Sequence, residues 1–424
     1  MADPARSRKR PRDRKKQIAA AAAELFWERG YRQVSMADVA AAVEIGASAL
    51  YRHFSGKSDL LVAVLGEGLG RLEAAAAGPE SGAGAQDRAV VLTALAAATI
   101  EGREYAALWD RAAAELAPDA ARDLRARRDR VLQRIAATVP AGPSGGPSGS
   151  PCSSTSDRPS GDPGATRLRA RAALAVLQSP SHHRVDLRGE SAVRLLSGAA
   201  DACLTVALPD AGPARPTSSD AGAGGMPSGV LLPRARSEAL LAVAGRMFAE
   251  RGYHAVSLGE IGEAAGIAGP SIYKHFPSKI DLLLAILSRG NQALWFALHQ
   301  SLAEASGPQD ALGRLLSSYV GVVGASPGAV SMLLSELATL PAPQRAEYRA
   351  TQRRYVAEWV GLLRDWRPEL SEPAALVLTH AAFAVTNALA HPDPIGGDPS
   401  AVPLERIHAL SRTVLGLAPP ERGY

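Results

Sequence analysis

The chain repeats itself. Residues 24–65, ELFWERGYRQVSMADVAAAVEIGASALYRHFSGKSDLLVAVL, return at 246–287 as RMFAERGYHAVSLGEIGEAAGIAGPSIYKHFPSKIDLLLAIL, an offset of 222 with no gap, and 18 of the 42 positions are identical. Such self-similarity constrains the fold more than composition does, because each copy has to be one structural unit used twice. Nine of the twenty aromatic residues fall inside the copies: Phe26, Trp27, Tyr31, Tyr51 and Phe54 in the first, Phe248, Tyr253, Tyr273 and Phe276 in the second. Each unit therefore has its own core. At ~100–200 residues per domain a chain of this length would hold two or three domains, and the repeat makes it two copies of one design.

Within each copy the apolar residues recur with helical period, at Ile18, Ala22, Leu25 and Phe26 and again at Leu240, Ala244, Met247 and Phe248. Arg29-Gly30 and Arg251-Gly252 read as a helix end, with a cation beside the last carbonyls and a glycine free to take positive φ. Ser35-Met-Ala-Asp38 and Ser257-Leu-Gly-Glu260 have capping-box spacing, so a second helix starts at residue 36 or 258. It is short, because Gly266 breaks the second copy before helical pattern resumes through Ile272, Tyr273 and Phe276. Helix, turn and helix packed on a preceding helix is a helix-turn-helix. The first copy has Glu44 where the second has Gly266. If the turn needs positive φ there, Glu costs about 1 kcal/mol relative to Gly.

YRHFSGKSDLL and YKHFPSKIDLL resemble the Y-x-H-F-x-x-K-x-x-L-L signature of TetR-family transcriptional regulators, and GYRQVSMADVAAAVEIGASAL and GYHAVSLGEIGEAAGIAGPSI are similar to the pattern that precedes it in that family. The resemblance covers about 50 residues twice. It implies an all-α fold of two TetR-like units, each a three-helix DNA-binding head plus a helical ligand-binding and dimerisation bundle, arranged as an intramolecular pseudo-dimer. Helix three would enter the major groove with Gly46, Ala47, Ser48, Ala49 and Arg52 at base edges in the first copy, and Ala268, Gly269, Pro270, Ser271 and Lys274 in the second. The sets differ, so the half-sites should differ. Phosphate contacts are implied for Tyr51 and Tyr273, for His53 and His275, and for Lys57 and Lys279 at the start of helix four, where helix N–H groups also favour an anion. Ser35 and Ser257 would cap a helix and reach a phosphate as well.

The organisation expected from these signals is a basic arm (1–13), a first head (14–66), a first helical regulatory domain (67–208), a linker (209–232), a second head (233–288) and a second regulatory domain (289–424). The Pro/Ser/Gly tract at 140–165 reads as a disordered loop inside the first regulatory domain. Amphipathic helices are expected at Asp87–Gly102, Glu104–Leu116, Ala120–Val139, Thr166–Gln178 and Glu190–Leu208, then at Asp310–Val323, Ala329–Leu340, Pro343–Trp366, Glu372–Ala390 and Ala401–Leu417. The flexible 21-residue tract at 209–229 within that linker would typically span ~25 Å, enough to let two joined units pair. One chain would then occupy an asymmetric operator as a monomer, or as part of a higher oligomer. Two alternatives stay open: a regulator with one active head acting as a dimer, and a non-specific DNA-binding protein.

For an effector the second half offers Trp295, Phe296, Tyr319, Met332, Trp359, Phe383, Thr386 and Asn387, a set that suits an apolar ligand with a few polar groups. The tandem arrangement is similar to that of regulators of lipid and acyl-CoA metabolism in high-GC actinobacteria, which implies a lipid or acyl-CoA effector, repression relieved by ligand, and no cofactor or metal.

Composition agrees. Hydrophobic residues are 46% but aromatics only 5%, which suits closely packed Ala- and Leu-rich helices. The net charge of +5 points weakly to an acidic partner, and its distribution says more: eight of the first 16 residues are Lys or Arg, an arm that could lie along phosphates. Apolar runs read as too broken by charge for a membrane span of ~18 residues, and no apolar segment follows the basic start to make a secretory signal. Two cysteines, Cys152 and Cys203, do not make a disulfide scaffold, and the expected location is the cytoplasm, on the nucleoid. His182 and His183 stand together, a pair that on a loop is usually solvated. No serine-nucleophile elbow, phosphate-binding loop or zinc-protease motif is seen, so no enzyme is expected.

Overall fold

The computed structural model of the protein describes residues 11–78, 85–112, 115–139, 162–183, 185, 190–210, 233–267, 269–325, 337–390 and 402–418. Among these residues the regular elements are all helical, as the low aromatic and high Ala content favours. The first half runs α1 (Pro11–Arg29), α2 (Met36–Ala42), α3 (Ala47–Tyr51), α4 (Lys57–Ala76), α5 (Ala85–Glu101), α6 (Arg103–Ala112), α7 (Pro118–Ala137), α8 (Pro163–Gln178) and α9 (Glu190–Thr205). The second runs α10 (Arg236–Arg251), α11 (Leu258–Ala264), α12 (Gly269–His275), α13 (Lys279–Glu304), α14 (Pro308–Ala325), α15 (Ala342–Trp366), α16 (Glu372–Ala390) and α17 (Leu404–Leu415). A short 3-10 turn, Ser179–His182, prolongs α8.

The helices begin and end close to where periodicity places them. Most of the expected Ala329–Leu340 helix, most of the tract at 140–165 and the first ten residues of the arm lie outside the described residues. Asp162 caps α8 by accepting from the Gly164 N–H at 2.9 Å, so helix starts inside the tract assigned to a loop. The expected boundaries at 66/67 and 288/289 are not breaks. Both α4 and α13 run straight from head into body, so each head shares a continuous helix with its regulatory half.

The two halves meet in a four-helix bundle. In it α8 and α9 of the first half pack against α16 and α17 of the second. Alanines make the close approach possible: Ala170, Ala172 and Ala173 on α8 and Ala375, Ala381 and Ala382 on α16 are fully buried. Polar groups pin the seam. Arg171 donates to the Ala388 carbonyl at 3.1 Å, and Arg406 donates to the Pro209 carbonyl at 3.0 Å with the Asp162 carboxylate 3.7 Å away. One apolar core runs through both halves and includes the first head, whereas the second head has a separate core centred on Leu240, Phe248, Ile272 and Leu282. The first head is bolted to its body by α1 packing on α6 and by Arg32 bonding Glu115 at 2.9 Å.

Two sequence expectations change here. Helix α16 is long and apolar enough by length and composition to cross a membrane, contrary to the reading of broken apolar runs; it serves as an inner helix of the bundle, with Thr379 and Thr386 fully buried on it. His183 is not solvated: it is buried against His380 of α16.

Candidate nucleic-acid interface

Each head is assembled by the same local devices. The N–H of Gly30 or Gly252 donates to the carbonyl of Phe26 or Phe248 at 2.9 Å, and each glycine holds φ near +85° with extended ψ, a conformation that side chains disfavour. The chain then turns so that Tyr31 and Tyr253 meet Phe26 and Phe248 edge-on at 5.1 Å. Ser35 accepts from the Asp38 N–H at 3.1 Å while Asp38 accepts from the Ser35 N–H at 2.7 Å, a complete capping box, and Ser257 with Glu260 repeats it. Ser35 holds the Asp38 carboxyl below its ordinary range. In the second head Arg251, bonded to Glu260 at 2.6 Å, together with Ser257 lowers that carboxyl to about 2. Arg251 is a partner that capping-box spacing does not reveal.

The turn between helices two and three is closed by paired bonds, Glu44 N–H to Ala41 carbonyl at 3.1 Å and Ile45 N–H to Ala40 carbonyl at 3.0 Å. Glu44 has φ +53° and is the only non-glycine with positive φ among the described residues; Gly266 has φ +68°. The turn does require the left-handed conformation, and the first head makes it with a side chain present.

Helix three then presents its outer face. In the first head Ala47, Ser48 and Arg52 are exposed, Ala49 is half-buried, and Tyr51 is 53% exposed although aromatic. In the second, Tyr273 is 57% exposed, Lys274 and His275 are exposed, and Ser271 is half-buried. Gly269 and Pro270 form the first turn of α12, and Ala268 lies outside the described residues. Leu50, Ile272 and Phe54 point the other way into the cores. An exposed Tyr beside an exposed cation thus recurs at one spacing in both heads.

The helix-four lysines, expected at phosphates, are hydrogen-bonded within each head in this structure. Lys279 donates to the Tyr253 and Val256 carbonyls, both at 2.7 Å, and lies 4.4 Å from the Tyr253 ring centre. Lys57 donates to the Arg32 carbonyl at 3.1 Å and lies 4.5 Å from the Tyr31 ring. Burial pushes the Lys57 ammonium below its ordinary pKa, with Glu115 opposing that shift. Each ammonium faces inward and ties the start of helix four to the loop before helix two. Ser35 and Ser257 likewise use their hydroxyls in the caps.

The effector lining expected in the second half packs as core. Tyr319 and Phe383 rings lie 4.6 Å apart, Phe383 and Trp359 4.9 Å, and Trp295 stacks edge-on to Tyr355 at 5.8 Å. Tyr319 donates to Asn387 at 3.1 Å, and Thr386 shares a hydrogen bond with Ser411. Phe296 is 64% exposed on α13, and Met332 lies outside the described residues. A narrow cavity of about 30 Å³ lies in the first half, between α4, α5, α6, α7 and the end of α8, lined by Leu69, Tyr105, Trp109, Arg128 and Gln178. The Trp109 indole N–H is buried there without a hydrogen-bond partner. Sequence reasoning missed this cavity because its residues lie on five helices with no shared spacing.

A family model described as "Bacterial regulatory proteins, tetR family" matches residues 18–64 and again 240–286. Both heads, 47 residues each, match the TetR family model. A TetR-type head accounts for the exposed Tyr and the capped second helix in each copy. Among curated relatives, the HTH-type transcriptional activator FasR of Mycolicibacterium smegmatis is 43% identical over 81 residues, 19% of this chain and 37% of that protein. The HTH-type transcriptional repressor KstR2 of Rhodococcus jostii is 31% identical over 129 residues, 30% of this chain and 63% of that protein. The chain thus spans less than two thirds of these two relatives. Among solved structures, KstR2 of Mycobacterium tuberculosis is 22% identical with a TM-score of 0.38, covering 43% of this chain and 95% of that one.

Proposed function

We propose that the protein is a sequence-specific, ligand-responsive transcriptional regulator in which one chain places two unlike TetR heads on one asymmetric operator. The observation that carries this reading is the bundle of α8 and α9 with α16 and α17, which joins two halves of the same chain through buried alanines. Covalent linkage gives the second head a high effective concentration once the first has bound, so no partner chain is needed. The unlike helix-three residues support unlike half-sites.

The effector is proposed to enter the first-half cavity, where Arg128 and the Trp109 N–H offer polar contacts beside apolar walls. A lipid or acyl-CoA suits that mixture chemically, and its entry has to part the surrounding helices, because the cavity of about 30 Å³ is far below the ~300–1,000 Å³ of small-molecule sites. Binding there would press on α6, which packs on α1 of the first head, and shift the head spacing. Repression follows where the operator overlaps a promoter.

Light scattering of the protein on a footprinted operator tests the reading. One chain per asymmetric site is expected; two chains per palindrome would overturn the single-chain clamp and leave the family match of the heads intact. Equal affinity for operator and random duplex, without a ratio of at least ~10³, would overturn sequence specificity.

A further inference from the structure

The first head carries a groove whose cationic lining its copy does not share. It runs between α1 and α4 on the outside of the head, with a volume of about 690 Å³, inside the ~300–1,000 Å³ range of small-molecule sites. Its floor is made of small residues of α4, Ala63, Gly66, Gly70 and Ala74, and from Asp59 to Ala74 it extends ~22 Å at ~1.5 Å per residue. Lys15, Lys16 and His53 line the head end, and Arg71 and Arg127 line the body end. The acidic lining groups are Asp59, which accepts from the Ser55 N–H at 3.0 Å, and Glu67.

Arg127 is held in place rather than loose. Its Nε and Nη2 bond Glu73 at 3.2 and 2.6 Å, while Nη1 and Nη2 lie over Gly66 and Gly70 so closely that a Cβ on those glycines would come within 3.3 and 3.4 Å. Glu73 also takes Arg130 at 3.3 Å, so one carboxylate serves two guanidinium groups and leaves the strip cationic. Arg71 is exposed, with its guanidinium 5.1 Å from the Tyr105 ring centre.

The second copy is an internal control. At the repeat offset, Lys16 becomes Glu238 and Glu67 becomes Arg289, and these two form an ion pair across α10 and α13 where the groove would lie. Lys15 becomes Ser237, Arg71 becomes Ala293, and the floor positions Gly66, Gly70 and Ala74 become Ser288, Gln292 and Phe296. The second copy has thus exchanged open cationic space for bulk and an internal salt bridge. The DNA-facing Tyr and His, by contrast, are the same in both copies.

We propose that the first-head groove binds an organic polyphosphate, one molecule per chain. Paired cations at the two ends of an elongated slot match a ligand with several phosphate groups, because guanidinium forks and ammonium groups both bind phosphate oxygens by charge-assisted hydrogen bonds. The groove follows α4 away from helix three, so a duplex lying on helix three does not run along it. Because Lys15, Lys16 and His53 stand at the end nearest the DNA-facing surface, an occupant would compete with DNA for the first head alone.

Titration calorimetry of the full chain, without DNA, using tripolyphosphate and ATP as probes tests this. Saturable 1:1 binding is expected, weakened about tenfold or more by Arg71→Gln and by Gly70→Gln, which installs the residue of the second copy, and unchanged by Gln292→Ala. Arg71 is exposed, so its variant reports on binding even if Gly70→Gln fails to fold. The proposal is overturned by no heat at millimolar probe, by two sites per chain, or by unchanged affinity in Arg71→Gln. It is equally overturned if Arg71→Gln weakens binding of a DNA duplex while leaving tripolyphosphate binding intact, which would assign the groove to DNA.

Discussion

His183, just beyond the first half's α8, and His380, on the second half's α16, stack with ring centres 5.0 Å apart. The Val185 N–H donates to His183 Nδ1 at 3.3 Å, which places the ring proton on Nε2, a buried atom with no hydrogen-bond partner. Burial, with His380, His182 and Arg103 adding repulsion, pushes His183 from 6.5 down to about 3; burial and His182 push His380 to about 4. Both rings are therefore neutral in the folded chain, and the pair sits in the seam that joins the halves.

Acidification should open that seam. The folded-state pKa values are depressed, so the unfolded chain binds more protons between about pH 6.5 and 4. The stabilisation is complete above pH 6.5 and is lost progressively as pH falls through that window. Thermal melts from pH 7.5 to 4.5 should show a falling midpoint, and a His183→Asn/His380→Asn double variant should flatten the slope.

Lys279 and Tyr273 should separate structure from contact. Lys279→Ala leaves the Tyr253 and Val256 carbonyls without their donor and is expected to destabilise the second head by ~1–3 kcal/mol. Tyr273→Ala removes an exposed side chain and should leave melting unchanged while lowering DNA affinity. Paired melts and duplex-binding assays on the two variants check this. A stable Lys279→Ala protein with lost binding would instead make Lys279 a direct phosphate contact.

The two turns should respond in opposite directions. Glu44→Gly relieves a side chain at φ +53° and should stabilise the first head by about 1 kcal/mol, whereas Gly266→Ala at φ +68° should destabilise the second by about as much. Urea unfolding of both variants measures the signs.

Gly68 admits Tyr105. A Cβ at Gly68 would lie 2.6 Å from the Tyr105 Cβ, so Gly68→Ala has to push α6 from α4 and should cost ~1–3 kcal/mol. Because α6 packs on α1, the same variant should also change DNA affinity, read as a shift in duplex binding at a temperature where it remains folded.

The heads were legible because their determinants are local. Capping boxes at Ser35 and Ser257, glycine ends at Gly30 and Gly252 and a turn at Glu44 or Gly266 each involve residues within a few positions of one another, and the repeat confirmed each signal. The inward engagement of Lys57 and Lys279 was not legible. A lysine at a helix start looks the same whether it meets a phosphate or a carbonyl some 25 residues earlier in the chain.

The sequence by itself determined two helical heads, their registers and most helix boundaries, since helical period, caps and repetition are written in neighbouring residues. Only the tertiary structure decided which faces meet: that α8 and α9 close on α16 and α17, that the aromatics of the second half pack on one another, and that a cationic groove runs along one head while Glu238 and Arg289 pair at the matching place in the other. Those outcomes depend on contacts between residues tens to hundreds of positions apart. Their geometry is set by packing and charge pairing, which no local pattern encodes.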